Sequence, residues 1–334
     1  MLILGIETSC DDTCVAIYDT KNGVLFNEIY NQELHKNYGG IVPELAARLH
    51  EKKIFFLINK AIKSTIKDFN KINAIAYTYG PGLFGSLLVG ATVAKTLSYI
   101  YDIPNIEVNH LEAHLLVPML YNKDLNFPFL SLIISGKNTQ LVFVKKLGKY
   151  KILGCCLDDA IGEAFDKVAF WLGLGYPCGS KISKISKNGF SDSYNLPKPY
   201  LKGFSFSFSG IKTFMKNLIK NSPKDYQTKC NLAKSFEDTV FEVVMLKCIK
   251  ALDFLSINKL VISGGVSANL NLRNKLSFIM KKRNGRLFFT KKNICTDNAI
   301  MIAYVGSIKL KKSENNSNIN IFVDPKITLS NFYI

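Results

Sequence analysis

The chain opens on Leu2-Ile3-Leu4-Gly5-Ile6-Glu7, the polar turn Thr8-Ser9-Cys10-Asp11-Asp12-Thr13 and a second apolar run, Cys14-Val15-Ala16-Ile17-Tyr18-Asp19. The same plan returns near residue 130: Phe129-Leu130-Ser131-Leu132-Ile133-Ile134, then Ser135-Gly136-Lys137-Asn138-Thr139, then Gln140-Leu141-Val142-Phe143-Val144. Apolar runs of strand length on either side of a short polar turn predict two β-hairpins. Their recurrence limits the fold more than any other feature: it predicts two related α/β halves, each opening on a hairpin. Turn amides and small hydroxyls approach phosphate oxygens without side-chain obstruction, so both turns are candidate anion sites. Two ordinary hairpins are the plain alternative.

Between and after the hairpins the pattern alternates strand and helix. Leu45-Ala46-Ala47-Arg48-Leu49-His50 reads as a helix, Ile72 to Tyr79 as a buried strand, and Gly80-Pro81-Gly82 as a turn feeding a helix that runs to about Tyr101. A glycine turn at a helix start suits an anion or carboxylate. Asp158 to Val168 reads as a helix whose acidic start serves the helix dipole, with Asp166 either on a sugar hydroxyl or simply solvated. Phe204-Ser205-Phe206-Ser207-Phe208 alternates as a strand with Phe inward. Residues 227 to 255 form a long core helix. Lys259 to Ser263 is a strand entering Gly264-Gly265, where backbone can approach an adenine or ribose. Cys295-Thr296-Asp297-Asn298-Ala299 leads into the last helix, and the polar tail from Ser313 to Asn320 is expected to be mobile.

With 334 residues and 48% hydrophobic content, the chain is long enough for two sizeable cores. Its net charge of +17, nearly all from lysine, favours a polyanionic partner, nucleic acid first. The eight cysteines form no C-x-x-C pair, which excludes a zinc ribbon and fits a reduced, cytoplasmic protein. Met1 to Ile6 reads as a strand start, not a signal peptide. Ala74 to Ala94 is uncharged and long enough for a membrane span, but the Gly-Pro-Gly break makes a strand, turn and helix the better reading. No membrane partner is expected.

Two of the four histidines lie in Asn109-His110-Leu111-Glu112-Ala113-His114. At spacing i, i+4 on a helix both imidazoles face one side and can converge on one metal ion. Glu112 points elsewhere, so the zincin arrangement and peptide hydrolysis are disfavoured. A third ligand is required.

Taken in order, Gly5-Ile6-Glu7-Thr8-Ser9-Cys10-Asp11-Asp12-Thr13, Tyr79-Gly80-Pro81-Gly82, His110-Leu111-Glu112-Ala113-His114, Gly162-Glu163-Ala164-Phe165-Asp166-Lys167, Phe206-Ser207-Phe208-Ser209-Gly210-Ile211-Lys212, Ser263-Gly264-Gly265-Val266-Ser267-Ala268-Asn269 and Cys295-Thr296-Asp297-Asn298 resemble the bacterial tRNA N6-adenosine threonylcarbamoyltransferase family, once regarded as glycoproteases. The resemblance covers essentially the whole chain. It implies an α/β fold of two related actin-like (RNase H-like) domains, 1–108 with 300–334 and 109–299, with nucleotide and metal in the cleft between them. It implies transfer of threonylcarbamoyl from threonylcarbamoyl-AMP to N6 of the adenosine 3′ of the anticodon, in tRNAs reading codons that begin with A. His110, His114 and Asp297 would hold one divalent metal ion, iron(II) or zinc. Ile133, Ile134, Ser135, Gly136, Lys137, Asp166, Gly179 and Asn269 would hold the adenylate. Expected partners are tRNA, a shorter paralogous subunit lacking the metal motif, and a small P-loop ATPase.

Such a mixed anhydride carries a good leaving group, so no enzyme nucleophile is needed, only orientation, polarisation and a proton acceptor. Asp11 and Asp12, in the first polar turn, are the candidates for that proton or for positioning the amine. Two departures bear on the adenylate: the family's Ser-Gly-Gly-His-Thr turn is here Ser135-Gly136-Lys137-Asn138-Thr139, and Ser180 follows Gly179 where proline is usual. A small-molecule kinase of the actin-like superfamily, or a non-catalytic tRNA- or subunit-binding scaffold, are the competing readings.

Overall fold

Every residue of β1 (Leu2–Glu7) after Leu2 is buried, and so is all of β2 (Asp12–Asp19) beyond its first residue. Continuous apolar runs of this kind belong to a sheet covered on both faces. In the computed structural model, which describes residues 1–38, 40–136, 138–175, 178–199, 201–291, 294–312 and 320–329, the chain forms two units: Met1–Lys123 with Thr296–Ile334, and Asp124–Cys295. Lys137 and residues 313–319 of the tail lie outside the described residues.

In the first unit, β1 pairs antiparallel with β2, and β2 with β3 (Gly23–Asn31). On its other edge β1 runs parallel to β4 (Ala74–Gly80), and β4 to β5 (Asn105–Asn109). Helices α1 (Pro43–Ser64) and α2 (Phe84–Tyr101) cover one face, where Leu4, Ile6, Val15 and Ile17 meet Ile54, Leu57, Ala91 and Ala94. The last helix, α9 (Ala299–Lys311), covers the other. It lies so close that a Cβ on Gly5 would sit 2.4 Å from the Ala299 carbonyl oxygen, and one on Gly306 2.4 Å from Ala76 Cβ. Helix α3 (His110–Tyr121) packs on α9. The first unit therefore extends to Lys123, past the expected change at 108, and resumes at Thr296, ahead of the expected 300, because Thr296 to Asn298 leads directly into α9.

The second unit repeats the topology. Strand β6 (Phe129–Ile134) pairs antiparallel with β7 (Thr139–Lys146), β7 with β8 (Lys149–Cys155), and β6 runs parallel to β9 (Lys259–Ser263), which is parallel to β10 (Arg286–Phe289). Counted in chain order, both sheets lie 3-2-1-4-5. The core is built from Leu130, Leu132 and Leu141 against α4 (Ile161–Trp171) and α7 (Tyr226–Leu255), with the Phe165 ring 5.0 Å from Phe236 and 5.5 Å from Phe241.

Three local expectations change. The α1 helix is much longer than Leu45 to His50, with Pro43 pre-set for its first turn. Helix α4 starts only at Ile161, so Asp158 does not serve its dipole. Instead Asp158 accepts the Phe208 N–H at 2.8 Å and the hydroxyls of Ser207 and Ser209, pinning the start of α6 (Ser209–Asn221). The Phe-Ser alternation buries Phe206 and Phe208 as expected but makes only a single bridge, Cys156 to Phe206. Ala74 to Ala94 is a strand, a turn and a helix, and among the described residues no helix is long and apolar enough to cross a membrane.

Candidate metal centre and ligand cavity

Strand β5 ends at Asn109, whose side-chain oxygen accepts the Leu111 and Glu112 N–H groups at 2.9 and 3.1 Å and starts α3 at His110. His110 and His114 then stand one turn apart with ring centroids 4.7 Å from each other and planes at 86°. Glu112 faces away toward Lys309 of α9, 3.4 Å distant, with both side chains buried. Asn298 caps α9 by accepting the Met301 N–H at 3.1 Å, and this places Asp297 beside the histidines. Its Oδ1 lies 3.0 Å from His114 Nε2 and 3.5 Å from His110 Nε2.

The three donor atoms lie within 4.8 Å of one another, and the histidines are buried. Two imidazole nitrogens and a carboxylate oxygen at such separations could hold a metal ion and would leave positions open for a further ligand. Behind His110, Glu7 Oε2 sits 3.0 Å from Nδ1. Burial by itself lowers the His110 pKa, but the carboxylates of Glu7 and Asp297 outweigh it and raise the value to about 10. Asp297 shows the reverse balance: burial pushes it up, and the two imidazoles hold it well below the ordinary carboxylate range. A metal ion requires neutral imidazole, so ion and proton compete for this place.

Asp11 lies in the turn between β1 and β2, and Asp12 is the first residue of β2, paired with Asn31 of β3. His50, fully buried on α1, holds that turn: its Nε2 is 2.9 Å from the Cys10 carbonyl oxygen and its Nδ1 2.8 Å from the Thr13 hydroxyl. Asp12 Oδ1 accepts from the Asn31 amide at 2.7 Å. Burial, followed by the charge of Asp11, raises the Asp12 pKa to about 7.

The second unit contains a cavity of about 750 Å³ on which Gly136, Asp166, Gly179 and Asn269 converge from separate segments. Asp166 Oδ1 accepts the Gly179 N–H at 2.7 Å, setting the start of α5 (Gly179–Ile185). Asn269 caps α8 (Leu270–Lys282) through its oxygen and donates its amide hydrogens to Ser183 Oγ and to Glu237 Oε1, 2.7 Å away. Ile133 and Ile134 are buried in β6, a central strand covered on both faces, and put no side chain into the cavity. Ser135 shapes the turn instead: its hydroxyl accepts the Asn138 N–H at 3.0 Å and its carbonyl the Gly162 N–H at 3.2 Å. Gly264 has φ +90° and packs so that a Cβ would lie 2.3 Å from the Ile134 carbonyl oxygen, a position only glycine fills. Lys184 and Lys187, two of the lysines that recur after Gly179 and could meet phosphate or simply be solvated, lie in the cavity wall, and the sequence reading missed Glu237 and Lys234 there. Glu237, with 1% exposure in the middle of an apolar helix pattern, is the one with a legible signal.

Residues 23–304 match the model of the tRNA N6-adenosine threonylcarbamoyltransferase family. The tRNA N6-adenosine threonylcarbamoyltransferase of Wigglesworthia glossinidia brevipalpis is 53% identical over 333 residues, covering 98% of each chain. That of Buchnera aphidicola subsp. Baizongia pistaciae is 51% identical over 326 residues, covering 97% of this chain and 96% of its own. Among solved structures, HypF from T. kodakarensis superposes with a TM-score of 0.62 at 12% identity, over 94% of this chain and 48% of its own. The activator of 2-hydroxyisocaproyl-CoA dehydratase from Clostridium difficile gives 0.53 at 12% identity, over 94% and 97%. At that identity the structural likeness bears on the fold alone, and it is the actin-like fold.

Proposed function

This chain belongs to the tRNA N6-adenosine threonylcarbamoyltransferase family, and we propose that it takes the threonylcarbamoyl group from threonylcarbamoyl-AMP and places it on N6 of the adenosine 3′ of the anticodon, in tRNAs reading codons that begin with A. Family membership makes it a transferase that acts on tRNA. The observation that carries the finer reading is the convergence of His110, His114 and Asp297, from segments far apart in the chain, on one buried point of the first unit. These three residues would hold a divalent ion, iron(II) before zinc, which when bound supplies a Lewis acid toward a ligand oxygen.

The remaining work falls to this chain's own groups. Gly136, Asp166, Gly179 and Asn269 line a cavity large enough for a nucleotide, and Asp166 offers a carboxylate to a ribose hydroxyl. Ser135 would meet the phosphate at the turn, with Ile133 and Ile134 setting the strand that ends there, and by the family's motif Lys137 would join the adenylate contacts. The N6 nitrogen attacks the carbamoyl carbon, a new C–N bond forms, and the C–O bond to phosphate breaks. AMP leaves with that electron pair. The N6 proton passes to Asp12, which burial, followed by the charge of Asp11, keeps basic enough to receive it near neutral pH. Such an enzyme works where tRNA is, in the cytoplasm.

Transfer of labelled threonylcarbamoyl from its adenylate to unmodified tRNA, with purified partner proteins, tests the proposal. Asn269→Ala is expected to raise the adenylate KM at least about tenfold by freeing Glu237 and the α8 cap together. Absence of transfer by the folded, metal-loaded wild type would overturn the reading.

The expected partners are a shorter paralogous subunit and a small P-loop ATPase. Helices α1 and α2 pack together and leave Phe55, Phe56, Tyr99 and Ile100 between 51% and 71% exposed, which suits docking of the paralogue. Phe56→Asp with Tyr99→Asp is expected to abolish co-elution with that subunit while leaving the thermal stability of the isolated chain unchanged. Unaltered co-elution would remove these helices from the interface.

A further inference from the structure

We infer that Glu7 is the positioning residue of the metal centre, fixing the His110 ring so that Nε2, and not Nδ1, is offered to the ion. The inference rests on His110, His114 and Asp297 being metal ligands. Glu7 ends β1 with no solvent exposure, a carboxylate within an otherwise apolar strand. A buried carboxylate survives only when its oxygens are met by donors. Here Oε1 accepts the Ser9 N–H at 2.5 Å, while Oε2 accepts the Thr78 hydroxyl at 2.5 Å and faces His110 Nδ1 at 3.0 Å. Its partners come from the first turn, from β4 and from α3, so one side chain ties a ligand on a helix to two fixed parts of the sheet.

The chemistry of the partners decides the tautomer. An ionised carboxylate only accepts, so it demands a hydrogen on His110 Nδ1. A neutral imidazole carrying that hydrogen has its lone pair on Nε2, the atom that faces Asp297. Ser9 Oγ lies 3.2 Å from the same Nδ1, but a hydroxyl donates or accepts equally well and selects neither tautomer. The choice therefore belongs to Glu7. Thr78, 2% exposed, holds the carboxylate in turn.

Glu7→Gln separates this role from mere packing. Its amide must turn an NH2 toward either the Ser9 N–H or His110 Nδ1, so one donor faces another whichever way it lies. Competitive chelator titration of the full chain with zinc(II) and iron(II) is expected to show about 10–100-fold weaker binding. Nitrogen-15 NMR of the zinc-loaded protein is expected to show Nδ1–H on His110 in the wild type and loss of that single tautomer in the variant. If Glu7→Gln does not fold, Thr78→Val takes its place, with a smaller loss of affinity expected in the same direction. A folded Glu7→Gln, or in its place Thr78→Val, that binds zinc as the wild type does with His110 unchanged would overturn the inference. A wild type that binds neither ion would overturn the metal reading itself, and this inference with it.

Discussion

His114→Ala is expected to fold, to bind iron(II) or zinc at least about 100-fold more weakly, and to lose threonylcarbamoyl transfer. Loss of an outer partner of a metal ligand costs about 10–100-fold in affinity, so loss of a ligand costs no less. Metal content after dialysis, read beside a thermal melt, checks it; a folded variant retaining stoichiometric metal would show that the ion sits elsewhere. The wild type should also reveal the competing proton. Because the metal-free His110 has a pKa raised to about 10 by Glu7 and Asp297 against the opposing effect of burial, metal uptake must displace a proton throughout the neutral range. Apparent affinity should then rise about tenfold per pH unit below that value. The same shift bears on folding of the metal-free chain: a raised histidine stabilises fully below its ordinary 6.5, and this contribution is lost as pH climbs toward about 10. Metal-free protein should therefore weaken between those limits.

Asp12→Asn is expected to lower kcat by about 10²–10⁴-fold, the usual contribution of a positioned general base. With a folded pKa of about 7, Asp12 is mostly protonated at pH 6 and mostly free to accept a proton at pH 8. The wild-type rate at fixed metal loading should rise through pH 7 and level off, and the asparagine variant should lose that rise. Asp11→Asn should move the midpoint down by removing the neighbouring charge. Stability runs the other way. A carboxylate raised from 3.8 to about 7 costs stability as pH climbs through that window, so Asp12→Asn should be more stable than the wild type at pH 8. A rate that is independent of pH across 6 to 8 in the wild type, or undiminished in Asp12→Asn, would remove Asp12 as the proton acceptor.

Much of the architecture was legible because it is encoded locally. The hairpins at Leu2–Asp19 and Phe129–Lys146 follow from apolar runs around short polar turns, and the i, i+4 histidines of α3 follow from helical spacing alone. Locality also explains the errors. Asp158 matched the acidic start of a helix, yet its carboxylate is drawn to donors around Phe208, fifty residues on. The Phe-Ser alternation matched a strand, but buried Phe206 and Phe208 are satisfied by the core without a ladder.

What the chain's residues determined by themselves was the recurrence of the two hairpins, the helical pairing of His110 with His114, and the ordered motifs that mark its family. Spacing left the third partner of the histidine pair open and only the family motifs pointed to Asp297; tertiary structure brought its Oδ1 to 3.0 Å from His114 Nε2, and it alone decided that Glu7 lies behind His110 and that Glu237 anchors Asn269 in the cavity wall. Periodicities of two and 3.6 residues report which face of one element is buried. They carry no information on which distant carboxylate a buried donor will meet, because that choice is made only when parallel crossovers such as β1 to β4 bring separate segments into one sheet.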